Sequence, residues 1–328
     1  MPPVAMNWPF LPVRPSGRYL GRGAGSGATP SVRFVRSRKR HSGRAWNASG
    51  QDHHGGLQAI ANRDSLLMAD VAKISLGGID ALDDRLFVMN LTDKTLYGIR
   101  IPAVTAQRPQ SGDLSVYRLP EPGCRGGVSR PFAVKAHEGK IYVGVVCDAS
   151  SSQSATDLTA TVYVLDMASR AFAEVVSLPL NYPRGKAIDD LDVSGWNPWT
   201  DDFSKALHAK APSTAAYPQP ILSSLSFDAD GALLLGLMDR FGHQSGKGQP
   251  DPEGRASYNG IAAGDLLRVY PKTPNRQNLH YLLEANARTG GRQSAGAGNG
   301  QGPEGVGSFS RIILREKIPL YRRVQEGG

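Results

Sequence analysis

The sequence predicts an all-β protein, a β-propeller of four-stranded antiparallel blades. Residues 131–178 show why, because four runs rich in Val, Ile, Tyr and Phe follow one another there and largely alternate in polarity. Short turns separate the runs, and the same succession recurs at 74–119 and at 221–285. A four-stranded meander repeated along a chain is typical of propeller blades, which stack around a common axis.

Each copy of the pattern predicts four strands. The first copy predicts Gly78–Leu82, Arg85–Leu91, Thr95–Ile101 and Leu114–Leu119. The central copy predicts Pro131–Lys135, Lys140–Cys147, Thr159–Asp166 and Ala171–Leu178. The third copy predicts Ile221–Phe227, Ala232–Met238, Leu266–Tyr270 and Leu279–Ala285. Because blades bury their faces only against one another, a ring of four or more is expected. Three clear blades therefore predict an incomplete or partly degenerate ring.

The rest of the chain is organised around a propeller domain that spans residues 57–290. Residues 1–56 form a basic, Gly-rich tail without periodicity, which we expect to be disordered. An insertion at 181–220 separates the second and third copies and predicts a short helix over 201–210, with Asp201 or Asp202 as its N-cap. Residues 291–328 predict a Gly-rich linker and a C-terminal segment that the blade pattern does not assign.

The excess of positive charge is a property of the tail. Residues 1–50 hold nine basic and no acidic side chains, so the remaining 29 basic and 29 acidic side chains balance. The basic run at 33–44 is expected to bind any polyanion weakly. The alternative is a specific nucleic-acid site within residues 14–44, but no zinc-finger spacing or helix-turn-helix pattern supports it. We expect no specific nucleic-acid partner.

The sequence contains no apolar run long enough for a transmembrane segment. No secretory signal peptide is visible either, because prolines interrupt the first ten residues. Cys124 and Cys147 flank the first hairpin of the central copy, where neighbouring strands could bring them within bridging range. Two unrelated buried thiols are the alternative. A disulfide would indicate an oxidising compartment.

The most site-like polar cluster follows the second strand of the third copy, where DRFGHQ contains Asp239, Arg240 and His243. It predicts either a polar binding or acid–base group at the propeller channel or an ion pair that holds the loop in place. Arg130, at the start of the central copy, has the same two interpretations. Trp196 and Trp199 predict either an aromatic plug on one face or an exposed aromatic surface.

A divalent metal is the basis of an alternative function. A lactonase-like propeller hydrolase would hold one cation, such as calcium, at the channel through carboxylates of different blades. The candidate ligands are Asp80, Asp228 and Asp239. Asp228 also opens a segment that resembles a calcium loop, but apolar residues fill the later ligand positions and no Glu closes it. Outside this alternative, the sequence predicts no catalytic residue and no cofactor.

Several segments between Ala72 and Gly307 carry a family resemblance: AKISLGGIDALDDRLFVMNLTDKTLYGIRI, CRGGVSRPFAVKAHEGKIYVGVVC, ATVYVLDMASRAF, QPILSSLSFDADGALLLGLMDRFGHQ and NGQGPEGVGSF. They resemble the N-terminal β-propeller region of large bacterial surface proteins that carry SdrD B-like (Cna-B, prealbumin-like) repeats. The resemblance implies an extracellular or envelope-associated adhesion or scaffold module with a protein or glycan ligand and no enzymatic activity. In that family a signal peptide precedes the propeller and repeat domains follow it, so we expect the chain to be a fragment.

Overall fold

The computed structural model describes residues 67–101, 109–182, 195–208, 211–229, 231–271, 281–283, 288–289 and 292–293. These residues fold mainly as β-strands, preceded by a four-residue α-helix at Leu67–Asp70. The predicted all-β class is confirmed. The tail at 1–56 and nearly all of the segment at 291–328 lie outside the described residues.

The strands are numbered in chain order. They are β1 (Leu76–Leu82), β2 (Arg85–Asn90), β3 (Thr95–Arg100), β4 (Leu114–Arg118), β5 (Ser129–His137), β6 (Lys140–Cys147), β7 (Thr159–Leu165), β8 (Phe172–Pro179), β9 (Leu207–His208), β10 (Ala211–Ala215), β11 (Pro220–Phe227), β12 (Leu233–Asp239), β13 (Gln249–Pro250), β14 (Ser257–Gly260), β15 (Asp265–Pro271), β16 (Tyr281–Leu283), β17 (Arg288–Thr289) and β18 (Arg292–Gln293). The last two form a separate hairpin.

Three antiparallel meanders correspond to the three predicted copies. Their strand orders are β1-β2-β3-β4, β5-β6-β7-β8 and β11-β12-β15-β16, and we call them the first, middle and third sheets. The observed strand ends agree with the sequence prediction to within two residues. The β5–β6 turn shows why the prediction succeeds there. Glu138 and Gly139 both have positive φ, 46° and 72°, as a two-residue hairpin turn requires.

The middle sheet lies between the other two and is apolar on both faces. Successive side chains of a strand point to opposite faces, so β6 contributes to two cores. Ile141, Val143 and Val145 pack towards the first sheet, whereas Tyr142 and Val146 pack towards the third. The first sheet covers one face with Phe87, Met89, Leu96 and Tyr117. The third sheet covers the other with Leu222, Leu233, Leu235, Leu237 and Val269.

The first strands of the three sheets lie side by side, with β5 in contact with both β1 and β11. Gly77 and Gly78 of β1 permit this close approach. A Cβ on Gly78 would lie 2.6 Å from the Val134 nitrogen and 2.8 Å from the Phe132 carbonyl oxygen. The described residues thus show successive meanders packed face to face. They do not show a closed ring, so the propeller itself stays a prediction.

The sequence did not predict a fourth sheet, which has the order β13-β14-β10-β9. Its strands come from the 181–220 insertion and from the connection between β12 and β15, and β10 pairs with β14 in parallel. Ala206, Ala215 and Phe241 form its small core, against which Phe203 and Tyr258 pack. We call residues 203–217 and 241–260 the cap.

The helix predicted over 201–210 is shorter than expected. It is a 3₁₀ helix at Phe203–Ala206. Asp202 is its N-cap, as one of the two predicted assignments required, and its carboxylate accepts a hydrogen bond from the Ser204 amide at 3.0 Å. The helix ends early because β9 follows at Leu207 and pairs with β10.

We expect Gly78→Ala to destabilise the fold by about 1–3 kcal/mol, because the new methyl group would overlap the backbone of β5. Urea-induced unfolding of the full chain measures the change. Gly112→Ala is the matched control, since no atom lies within 4 Å of the position of its Cβ. Equal effects of the two substitutions would contradict the close approach of β1 and β5.

Candidate functional site

A disulfide joins the segment before β5 to the end of β6. Cys124 and Cys147 are bonded, with their Cα atoms 5.3 Å apart and a separation of 23 in sequence. Directly after Cys147, the Asp148 side chain is fully buried. Its carboxylate accepts hydrogen bonds from the Arg130 Nε at 2.7 Å and from the Val128 amide at 2.9 Å. The bridge therefore lies next to a buried ion pair between the two strands.

The electrostatic state of Asp148 follows from these contacts. Burial raises the pKa of the Asp148 carboxyl, but hydrogen bonds from the Val128 and Ser150 amides and from the Arg130 guanidinium outweigh that effect. The net pKa lies below the ordinary value. Asp148 is therefore ionised at neutral pH and balances the charge of Arg130.

Two guanidinium groups contact the Trp199 ring. The Cζ atoms of Arg130 and Arg240 are 5.3 Å and 4.8 Å from the centroid of its ring. The indole N–H donates to the Pro220 carbonyl at 2.8 Å, and the side chain is 1% exposed. Cation–π contacts of desolvated groups contribute up to about 2 kcal/mol each. The structure thus brings together three of the residues that the sequence singled out.

Trp196 is also buried and takes part in a different contact. Its indole N–H donates to the Tyr182 hydroxyl at 3.4 Å, and that hydroxyl donates to the Asp265 carboxylate at 2.6 Å. Both tryptophans are therefore packed inside the protein and do not form an exposed aromatic surface.

The Arg240 guanidinium is fully buried and bonds to acceptors that include four groups of the described residues. It donates to the carbonyls of Val71 and Thr200 at 3.0 Å each. It also donates to the Gln219 side-chain oxygen at 2.8 Å and to the Asp201 carboxylate at 3.0 Å. Burial lowers the pKa of Arg240, and Asp201 acts in the opposite direction. These bonds hold the segment after Trp199 against the start of β11.

Asp239 and His243 have different roles in the same turn. One oxygen of the Asp239 carboxylate accepts from the amides of Gln219 and Phe241 at 2.9 and 2.8 Å, which caps the 3₁₀ helix Arg240–His243. The other oxygen accepts from the Ala263 amide at 3.2 Å. The His243 Nε2 lies 2.8 Å from the Met238 sulfur. Asp239 is thus bonded to the backbone of the turn that it precedes.

The candidate metal ligands are distributed over separate contacts. Asp80 pairs with Lys135 at 3.1 Å, and Asp228 pairs with Arg268 at 3.3 Å. In the β11–β12 hairpin Pro220 is opposite Asp239, so Asp228 and Asp239 lie at opposite ends, more than about 20 Å apart. Those two carboxylates cannot bind one cation. Among the described residues, no three His, Cys, Asp or Glu side chains are grouped to hold a metal.

A cleft of about 450 Å³ opens in the cap beside Asp201, and we call it the cap cleft. The aromatic rings of Phe203 and Tyr258 line it and meet edge to face, with centroids 5.4 Å apart. Its lining includes four carboxylates and one guanidinium, which are Asp201, Asp202, Asp251, Glu253 and Arg255.

Asp201 connects the cap cleft with the buried arginine. Its carboxylate bonds to Lys73 at 2.8 Å and to Arg240 at 3.0 Å. Burial raises the pKa of Asp201, but these two cations outweigh it, so the net pKa is lowered. The hydroxyl and the amide of Ser204 lower the pKa of Asp202. Both carboxylates are therefore ionised at neutral pH.

Sequence reasoning did not assign Asp148, Gln219 or Tyr258 to a site. Asp148 carried a weak signal, because a charged residue directly after the apolar run of β6 has to find a partner. Gln219 and Tyr258 lie in loop-like sequence and acquire their contacts only from the tertiary fold.

Comparison with known proteins shows similarity to three proteins of Dictyostelium discoideum. The chain is 31% identical to colossin-A over 180 residues, 27% to colossin-C over 177 and 22% to colossin-B over 182. These alignments cover 54%, 52% and 51% of this chain. The chain spans only 1%, 16% and 4% of the length of these relatives. No family model matches it. In the described part of the chain, no helix is long and apolar enough to span a membrane.

We expect Asp148→Asn to lower the stability by about 3 kcal/mol at pH 7, because it leaves Arg130 without its buried carboxylate. The pKa of Asp148 is lower in the folded state, so its contribution is complete above the unfolded pKa of about 4. That contribution is lost as the pH falls through the folded pKa. The difference in stability between wild type and variant should therefore narrow in acid.

Urea unfolding of both proteins between pH 7 and pH 3 measures this difference. Asp83→Asn, in the exposed β1–β2 turn, is the control and should change the stability by less than about 0.5 kcal/mol. A difference between wild type and Asp148→Asn that stays constant over the whole pH range would contradict the assignment.

Proposed function

We propose that this chain is a non-catalytic β-propeller module that works outside the cell or on its envelope as an adhesion or scaffold module. The observation that carries the proposal is the face-to-face packing of three successive meanders whose first strands adjoin. Consecutive propeller blades pack in this way. In this proposal β1, β5 and β11 are the inner strands of the ring.

The disulfide supports the proposed location. Disulfides form and persist in oxidising compartments, and the bond between Cys124 and Cys147 joins the segment before β5 to the end of β6. The resemblance to bacterial surface proteins with SdrD B-like repeats favours the same location. The length of the similar proteins fits a module that forms a small part of a large polypeptide.

The buried contacts of the candidate binding residues support the proposed binding role. Arg130 and Arg240 each contact the Trp199 ring, and the three side chains bond to backbone and carboxylate groups inside the protein. Such contacts fix the shape of a surface, which a binding module requires before it meets its partner. The partner in this proposal is a protein or glycan on a surface, and the cap is the part of the chain that meets it.

A binding assay tests the proposal. The oxidised full chain, coupled to fluorescent beads, is applied to a glycan array and to intact bacterial cells. We expect saturable retention by the folded chain, whereas beads that carry the reduced and unfolded chain serve as the control.

The same preparation is assayed against lactones and phosphotriesters in the presence of calcium, and we expect no hydrolysis above the buffer rate. Stoichiometric bound calcium together with turnover would overturn the proposal in favour of the propeller hydrolase. Failure of retention on every surface tested would also count against it.

A further inference from the structure

The loop between the first and middle sheets depends on the disulfide for its order. We call residues 120–128 the bridge loop; they form no helix or strand, and none of them is buried. Cys124 lies within this loop and is bonded to Cys147 at the end of β6. A loop without buried side chains gains little from packing, so a covalent link contributes much of what holds it in place.

The bridge loop in turn holds residues 148–153, which follow β6 and which we call the contact loop. The Gly126 carbonyl accepts hydrogen bonds from the amides of Ser151 and Ser152 at 2.8 and 2.7 Å. The Val128 amide donates to the Asp148 carboxylate at 2.9 Å, and the Asp148 amide donates to the Val128 carbonyl at 3.1 Å. Displacement of the bridge loop would break these bonds.

The contact loop also bonds to the segment that leads into the cap. The Asp148 carbonyl accepts from the Trp199 amide at 2.9 Å, and the Gln153 side-chain amide donates to the Trp199 carbonyl at 3.0 Å. The side-chain oxygen of Gln153 accepts from the ammonium of Lys205, which lies on the 3₁₀ helix Phe203–Ala206 of the cap. The contact loop therefore connects the disulfide-bonded loop with the cap.

The two sulfur atoms of the bridge differ in access. Cys124 is half-buried, whereas Cys147 is 2% exposed, so an attacking thiolate reaches Cys124 first. Its sulfur bonds to Cys124, the S–S bond breaks, and the electron pair leaves on Cys147, which takes a proton from water. A second thiolate attacks the mixed disulfide and displaces Cys124, which is protonated in turn. Two thiols are thereby oxidised to one disulfide, and two cysteines are reduced.

We propose that the disulfide between Cys124 and Cys147 is a redox-controlled latch on the cap, which a thiol reductant opens. Reduction frees the bridge loop, removes its bonds to the contact loop and loosens the segment at 199–206. The bonds of Arg240 to Gln219 do not involve either loop and stay in place. The consequence for binding rests on the proposed function: if the cap meets the partner, the module binds its partner in the oxidised state.

Amide hydrogen exchange of the ¹⁵N-labelled full chain, with and without dithiothreitol, tests the proposal. In the reduced chain the Ser151 and Ser152 amides, which donate to the bridge loop, should exchange at least about tenfold faster. The Trp199 amide, which donates to the contact loop, should exchange about two- to tenfold faster. The Arg240 amide, which donates to the Gln219 carbonyl, is the internal control and should be unchanged.

Two variants separate the latch from a general effect on stability. Cys124→Ser should show the exchange pattern of the reduced chain without any reductant, and dithiothreitol should not change it further. Gln153→Ala keeps the disulfide but removes a bond to the Trp199 carbonyl. In the oxidised chain this variant should therefore speed exchange at Trp199 and leave the Ser151 amide protected.

Asp83→Asn, which changes an exposed residue of the β1–β2 turn, is the matched control. It should respond to dithiothreitol as the wild type does, because it touches neither loop. Alkylation followed by mass spectrometry counts the free thiols, and thermal melts confirm that the reduced chain and each variant are folded.

The proposal is overturned if dithiothreitol leaves the disulfide of the folded chain intact, because the bridge would then be a permanent part of the fold. It is also overturned if reduction leaves exchange at Trp199 unchanged, or if it speeds exchange at Trp199 and Arg240 equally. The last result would make the disulfide a general stabiliser of the protein.

The bead assay connects the latch with the proposed function. Retention of the oxidised chain and its loss after reduction of the folded chain would support both. Equal retention in the two states would support the module and overturn the control of binding by the latch. Absence of retention in both states would count against the module, while the exchange rates would still decide whether the latch exists. The two failures are therefore distinguishable.

Discussion

The rest of the structure depends on the burial of both faces of the middle sheet. Seven of the eight residues of β6 are buried, and their side chains alternate between the two cores. A sheet that is apolar on both faces is stable only when each face is covered. The first and third sheets supply that cover, and their first strands come to lie against β5 as a result.

The polar cluster extends from the same sheet. Cys147 ends β6, Asp148 follows it, and this carboxylate holds Arg130 at the start of β5. Arg130 and Arg240 both contact the Trp199 ring, and Arg240 in turn bonds to Asp201 at the rim of the cap cleft. A continuous series of contacts therefore connects the end of the middle sheet with the cap. This series fixes the cap relative to the middle sheet.

The three meanders could be predicted because the information that specifies them is local. Alternating Val, Ile and Tyr residues mark the strands, and Glu138-Gly139 marks a hairpin turn that needs positive φ. The bounds of β6 were predicted to the residue. In each meander a strand pairs with the next one along the chain, or with the next after the cap insertion. The order of the strands in the sequence was therefore enough to predict the topology of each sheet.

The cap and the cluster could not be predicted in the same way. β9 and β13 are only two residues long, and β10 and β14 are joined by a parallel pairing across more than forty residues of sequence. Arg130 and Arg240 were each recognised as candidates, but no local pattern shows that both contact Trp199. The metal hypothesis failed for Asp228 and Asp239 for a related reason. The register between β11 and β12 places these two residues at opposite ends of one hairpin. That register cannot be read from the positions of the acidic residues in the sequence.

Native-state amide hydrogen exchange tests the central claim most directly. If the middle sheet is the doubly covered core, the amides of β6 and β7 should exchange only through global unfolding. The amides of β4 and β16, which are edge strands of the outer sheets, should exchange faster through local opening. Exchange of β6 and β7 at the rates of β4 and β16 would contradict the account.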